Sequence, residues 1–128
     1  TYGVGVATLL REEPKEIAGL QISFETNPEQ ASKLAPMTAE GIRGIIDNGI
    51  DAAMLAKVVE NFKKNIPEQR ISNYYWMSIL KEWSDKGIDY DKEYEKAVSS
   101  ITAEKVISVL KSVVDSGNYV EIIMSPAE

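Results

Sequence analysis

The spacing of apolar residues lengthens after the first 25 residues of this chain and shortens again at its end, and those changes constrain the fold more than any other feature. Over residues 2 to 10, Val4, Val6 and Thr8 alternate with Gly3, Gly5 and Ala7. A period of two rich in β-branched residues predicts a strand, and the small residues leave one of its faces open to close approach. The polar run Arg11-Glu12-Glu13-Pro14-Lys15-Glu16 breaks the pattern, after which Leu20, Ile22 and Phe24 alternate with Gln21, Ser23 and Glu25. That second segment reads as a half-buried strand, and the two pair as an antiparallel hairpin with a long exposed loop.

Beyond Phe24 the period lengthens to three and four residues. Asn27 caps a helix and Pro28 occupies its first position, where a missing N–H costs nothing. The stripe Ala31, Leu34, Ala35, Ile42, Ile45 and Ile46 has helical spacing. Pro36 interrupts it, which predicts a kink or two short helices, and Asn48-Gly49 ends the element. Asp51 then caps the next helix, with Ile50 placed to staple against Leu55. Leu55, Val58, Val59, Phe62 and Ile66 form the strongest periodic signal and predict a core-facing stripe. Pro67 marks a break, after which Ile71, Tyr75, Ile79, Leu80 and Trp83 continue helically to Gly87. A short helix over residues 92 to 99 follows. Ile101-Thr102 repeats the staple-and-cap arrangement against Val106, and Val106, Ile107, Leu110, Val113 and Val114 line a last helix ending at Gly117. Residues 118 to 125 close as a strand through Val120, Ile122 and Met124. The order is β-β-α-α-α-α-β, which predicts an α+β fold with helices on one face of a mostly antiparallel sheet.

At 128 residues, 44% of them hydrophobic and 27% charged, one compact soluble domain is expected. The chain opens without methionine, so it is expected to be a fragment of a longer protein, with some of its surface buried in the parent. With 14 basic against 20 acidic residues, the formal charge of −6 opposes phosphate backbones and anionic membrane. Lys63-Lys64 is a solvated pair rather than a basic stripe. No apolar run approaches the ~18 residues of a membrane span. The absence of His and Cys removes Ser-His-Asp and Cys-His triads, the usual zinc ligands and any disulfide. A cysteine-free chain suits the cytoplasm and bacterial periplasm or cell envelope equally, so the compartment is not determined.

Most short motifs fail on context. Gly3-Val4-Gly5 lies inside a strand, whereas a dinucleotide loop opens a helix. Asp89, Asp91 and Glu93 have the spacing of calcium-loop ligands, but the sixth position is Tyr94 and the twelfth is Ser100. They are better read as an acidic helix start that complements the helix dipole. Glu12 and Glu13 are neighbours on a loop, point apart and stay solvated. Tyr74, Tyr75 and Trp76 are consecutive on a helix and cannot all face one side. Tyr75 and Trp83 are assigned to the core, and Tyr74 and Trp76 are candidates for a protein interface.

Five segments, taken in order, resemble the pitrilysin/insulinase family of zinc metallopeptidases. These are Thr1-Tyr2-Gly3-Val4-Gly5-Val6, the strand-then-helix segment Leu20-Gln21-Ile22-Ser23-Phe24-Glu25-Thr26-Asn27-Pro28-Glu29, and the inter-helix turn Asn48-Gly49-Ile50. Ile101-Thr102-Ala103-Glu104 resembles the start of the family's last helix, and Asn118-Tyr119-Val120-Glu121-Ile122-Ile123-Met124-Ser125-Pro126 its closing strand. Pro36 departs from the family pattern. The resemblance implies a peptidase of two halves that clasp into a chamber, with an inverted His-x-x-Glu-His zinc motif in the N-terminal half. That motif is absent here, so the chain resembles the last domain of the C-terminal half.

In the family this domain supplies an arginine and a tyrosine that reach the substrate at the zinc. By position Tyr2 corresponds to the tyrosine, its hydroxyl donating to the oxyanion formed when zinc-bound water attacks the peptide carbonyl; the arginine would precede Thr1. The implied partners are the zinc-binding half of the same protein and a peptide substrate. The implied cofactor is zinc held outside this chain, with no metal bound by the chain itself. The alternatives are a non-catalytic chamber wall and a helical interaction module presenting Tyr74 and Trp76. Sheet edge left bare by missing neighbouring strands would favour a homodimer of the piece.

Overall fold

A computed structural model describes residues 3–124. The fold is α+β: strands β1 (Gly3–Arg11) and β2 (Ile17–Glu25) precede helices α1 (Pro28–Asn48), α2 (Ala52–Gln69), α3 (Asn73–Lys86), α4 (Tyr90–Ser99) and α5 (Ala103–Asp115). The chain divides into two compact units, residues 1–49 with 107–128, and residues 50–106.

In the first unit the hairpin forms as its alternation predicts. β1 and β2 pair antiparallel without a bulge, from Gly3 opposite Glu25 to Arg11 opposite Ile17. This register places Val4, Val6, Thr8 and Leu10 on one face with Ala18, Leu20, Ile22 and Phe24, and Gly3, Gly5 and Ala7 on the other. Leu20, Ile22 and Phe24 are half-buried, whereas β1 is exposed along its whole length. The loop of residues 12 to 16 is mostly exposed.

Helix α1 runs unbroken through Pro36, so the alternative of two short helices does not occur. Asn27 is the N-cap residue with Pro28 next, although its side chain makes no capping bond. The Thr38 hydroxyl donates to the Leu34 carbonyl one turn back (2.9 Å), within the stretch that the proline disturbs. Ala31, Leu34, Ala35, Ile42 and Ile46 turn inward and are half-buried; Ile45 is exposed. Gly49, at φ +89°, stops the helix by donating to the Ile45 carbonyl at 3.0 Å. From α5, Ile107, Leu110, Val113 and Val114 are half-buried in the same way.

The closing strand is not formed. Residues 118 to 124 are exposed and pair with no strand, and Ser125 lies outside the described residues. The alternation of Val120, Ile122 and Met124 is strand-like, but among the described residues the sheet consists of β1 and β2, and this segment pairs with neither. The helix count also differs from the expected four. The break assigned to Pro67 falls later, at residues 70 to 72, which splits that stretch into α2 and α3. Pro67 sits in the last turn of α2, where the lost N–H shortens the helix without stopping it at once.

In the second unit α4 packs against both α2 and α3. Helices α2 and α4 start on side-chain caps: Asp51 accepts from the Met54 amide at 2.6 Å, and Asp89 from Lys92 at 3.0 Å, whereas Ser72 at the start of α3 makes no side-chain cap bond. Thr102 caps α5, accepting from Lys105 at 3.3 Å. Gly87 closes α3 in the left-handed region, φ +71°, with its N–H on the Trp83 carbonyl. Ile66 (4% exposed) and Val98 (6%) are the buried side chains among the described residues, and both lie in this unit. The α2 stripe divides: Leu55 and Val59 are half-buried beside Ile66, while Val58 and Phe62 remain exposed. Lys63 and Lys64 are solvated as expected, and Lys64 pairs with Glu60 at 2.9 Å.

Candidate functional site

The turn between α2 and α3 is where residues distant in sequence converge. Arg70, Ile71 and Ser72 donate their amides to the carbonyls of Ile66, Glu68 and Gln69, so the chain is held in a tight turn between the two helices. A helix end leaves carbonyls without intrahelical partners. The Trp76 indole N–H satisfies that of Arg70 at 2.8 Å, tying the first turn of α3 back onto the end of α2.

Beside that contact, one carboxylate oxygen serves two donors. Asp91 Oδ1 accepts from Arg70 Nε at 2.7 Å and from the Tyr75 hydroxyl at 2.5 Å. Asp91 lies in the first turn of α4, where the helix dipole also favours its negative charge. Three helices are thereby joined by one side chain. Hydrogen bonds from Tyr75 and then Arg70 hold the Asp91 carboxyl below its ordinary value, against some opposition from burial. Burial, followed by the bond to Asp91, raises the Tyr75 phenol, and the same carboxylate raises Arg70 further. One turn along α4, the Tyr94 hydroxyl donates to the Phe62 carbonyl of α2 at 3.2 Å. Asp91, Tyr94 and Val98 thus share the inner face of α4 at helical spacing. With Oδ1 engaged by two donors, one of them a cation, Asp91 is built as a structural tie rather than a general base.

This tie was not read from the sequence. Asp89, Asp91 and Glu93 do mark a helix start, but Asp89 alone caps it while Asp91 reaches across to two other helices. The usable signal was Tyr75: a tyrosine assigned to the core needs a partner for its hydroxyl, and an acid on a neighbouring helix supplies one.

The sequence-predicted site residues have different fates. Tyr2 lies outside the described residues. Tyr74 is 81% exposed, and Trp76 is 39% exposed with its indole N–H engaged and its ring set edge-on to Tyr75 at 5.4 Å. Tyr75 is half-buried, in keeping with its assignment. Trp83 was assigned to the core, but it is 59% exposed. Helical rotation explains the reversal. Tyr75 and Ile79 turn toward α4, whereas Trp83 lies on the adjacent side with Trp76, Met77 and Leu80, all of them exposed. The outcome is an uncovered apolar stripe along α3.

In the first unit an open cleft of 270 Å³ is lined by Arg43, Ile46 and Asp47 of α1 and Lys111, Val114 and Asp115 of α5. Its two cations and two anions balance, and Lys111 already pairs with Asp115 at 3.1 Å, so it selects for no charge type. Among the described residues no group of three or more acidic, His or Cys side chains is arranged to hold a metal. No helix among them is long and apolar enough to cross a membrane. Comparison with family models, curated proteins and solved structures gives no match.

Proposed function

We propose that this chain is the closing domain of the C-terminal half of a zinc-dependent peptidase resembling the pitrilysin/insulinase family, shaping the substrate chamber while the metal is held by the other half. The carrying observation is the ordered series of family-like segments along the chain. Their placement supports the reading. The 20 to 29 segment spans the end of β2 and the start of α1, Asn48-Gly49-Ile50 forms the turn before α2, and Ile101-Thr102-Ala103-Glu104 begins α5. Uncovered apolar surface on the hairpin and on α3 is also what a domain docked within a larger enzyme would present.

In this reading the Tyr2 hydroxyl donates to the tetrahedral oxyanion as zinc-bound water attacks the peptide carbonyl. The test is peptide hydrolysis by the full-length protein, wild type against Tyr2→Phe, with and without a zinc chelator. Chelator-sensitive cleavage that falls ~10- to 1000-fold on losing the hydroxyl is expected for an oxyanion donor. Chelator-sensitive cleavage with an unchanged rate removes Tyr2 from the site but keeps the family, and absence of cleavage favours the non-catalytic chamber wall.

The exposed α3 stripe favours a second reading, a helical interaction module. Its test is Trp76→Ala, which is expected to weaken a protein contact and to lower stability by no more than ~1 kcal/mol. A loss of several kcal/mol assigns Trp76 to the fold instead.

A further inference from the structure

The first unit contains an unpartnered strand edge and, within the same unit, an unpartnered strand-forming segment. β1 offers nine residues of ladder, exposed throughout and without a bulge. Its sequence, Gly-Val-Gly-Val-Ala-Thr-Leu-Leu-Arg, contains neither Pro nor Lys, the residues that ordinarily blunt a free edge. Residues 118 to 124 alternate Val120, Ile122 and Met124 with Tyr119, Glu121 and Ile123, and are exposed. We propose that residues 118 to 124 of one chain add as a third strand to the β1 edge of a second copy, the exchange being reciprocal.

Side-chain alternation fits this pairing. With Val120, Ile122 and Met124 set on the Val4, Val6 and Leu10 face, the three-stranded sheet has one continuous apolar side. Tyr119 and Ile123 then lie on the side of Gly3, Gly5 and Ala7, whose small side chains leave room at that end of the face, before Leu9 and Arg11. An aromatic residue beside strand glycines covers backbone that those glycines leave bare.

The way the segment leaves α5 favours a second copy over the chain's own hairpin. Two residues, Ser116 and Gly117, separate the end of α5 from the segment. Both are tied locally: the Ser116 hydroxyl donates to the Val113 carbonyl at 2.7 Å, and Gly117, at φ +74°, donates to Val114 at 3.4 Å. Asn118 donates to Ser116 Oγ at 3.4 Å and Tyr119 to the Gly117 carbonyl at 3.1 Å. A hinge this short and this constrained resists folding back, which is the condition under which identical elements are exchanged between copies.

Sedimentation equilibrium of the 128-residue chain tests the proposal. A mass twice that of one chain is expected at about 100 μM, where any association tighter than that concentration is populated. Each chain carries a net charge of −6, so added salt should strengthen the association by screening repulsion. The double variant Val120→Pro/Ile122→Pro removes two ladder donors and should sediment as a single chain with its helical circular dichroism retained. Val120→Lys, which places a charge on the apolar side, should weaken association in the same direction and serves if the proline variant does not fold. A single-chain mass for the wild type, or a dimer unaffected by either folded variant, overturns the proposal.

Discussion

The hairpin and the α2–α4 cluster solve the same problem of folding in opposite ways. The hairpin has a complete ladder and little cover: nine paired positions in register, with β1 exposed from end to end. The helical cluster has little buried volume but is cross-tied, since Asp91 binds Arg70 and Tyr75, Tyr94 reaches Phe62, and Ile66 and Val98 are sealed from water. A two-stranded ribbon is marginal in water unless something covers its apolar face. The hairpin is therefore specified by local pattern and depends on neighbours for stability, whereas the cluster draws its stability from contacts that no local pattern announces.

Substitutions can separate the two behaviours. Ile66→Ala should have the largest effect, about 2 kcal/mol by chemical denaturation, at the low end for such truncations because a thinly packed site can partly collapse. Amide exchange should then quicken in α2 and α4 before it does in the β1–β2 ladder. Equal acceleration in both would show that the hairpin leans on the helical cluster.

Next comes Asp91→Asn, which weakens two charge-assisted bonds and should lower stability by about 1 kcal/mol near neutrality. The folded Asp91 carboxyl is held below its unfolded value, so its contribution is complete above about pH 4, the ordinary carboxylate value, and fades as pH falls through the depressed folded value. The gap between wild type and variant should therefore narrow on acidification below that point. A gap that stays constant down to pH 2 would mean that the carboxylate charge is immaterial to the tie.

Asp51→Ala, which removes the cap bond to Met54, should cost roughly 0.5 to 1 kcal/mol and act mainly on the first turn of α2. Substituting Ser or Asn there should restore most of the loss, and failure of both would mean that the negative charge, rather than the acceptor, is what that turn requires.

Local rules were legible in the sequence at most helix ends, where one residue governs one backbone group, although Asn27 stands at its N-cap position without making the cap bond. Asp51 and Thr102 cap as their positions suggest, and Gly49, Gly87 and Gly117 close their helices at positive φ. The hairpin faces follow from alternation alone. Reading failed wherever the outcome depends on a partner far along the chain. Trp83 has the right period for a core but lies one step around α3 from the face that meets α4. Residues 118 to 124 have the right alternation for a strand but pair with neither described strand. Pro67 illustrates a third cause, because a proline in a last turn weakens a helix that was about to end anyway. For the candidate site, Tyr74 and Trp76 are exposed where Tyr75 is half-buried, while the Arg70–Asp91–Tyr75 tie required knowing that α4 returns beside the start of α3.

The shared oxygen of Asp91 gives the chain an internal optical probe. Tyr75 ionises late in the folded state because burial and the adjacent carboxylate both disfavour a phenolate. When α2, α3 and α4 separate, that restraint vanishes and the phenol ionises at its ordinary value. At a fixed alkaline pH, the rise in phenolate absorbance then reports opening of the helical cluster without any attached dye. Tyr119, whose phenol is likewise raised by its bond to Glu121, adds a signal of its own, and Tyr119→Phe would remove that contribution.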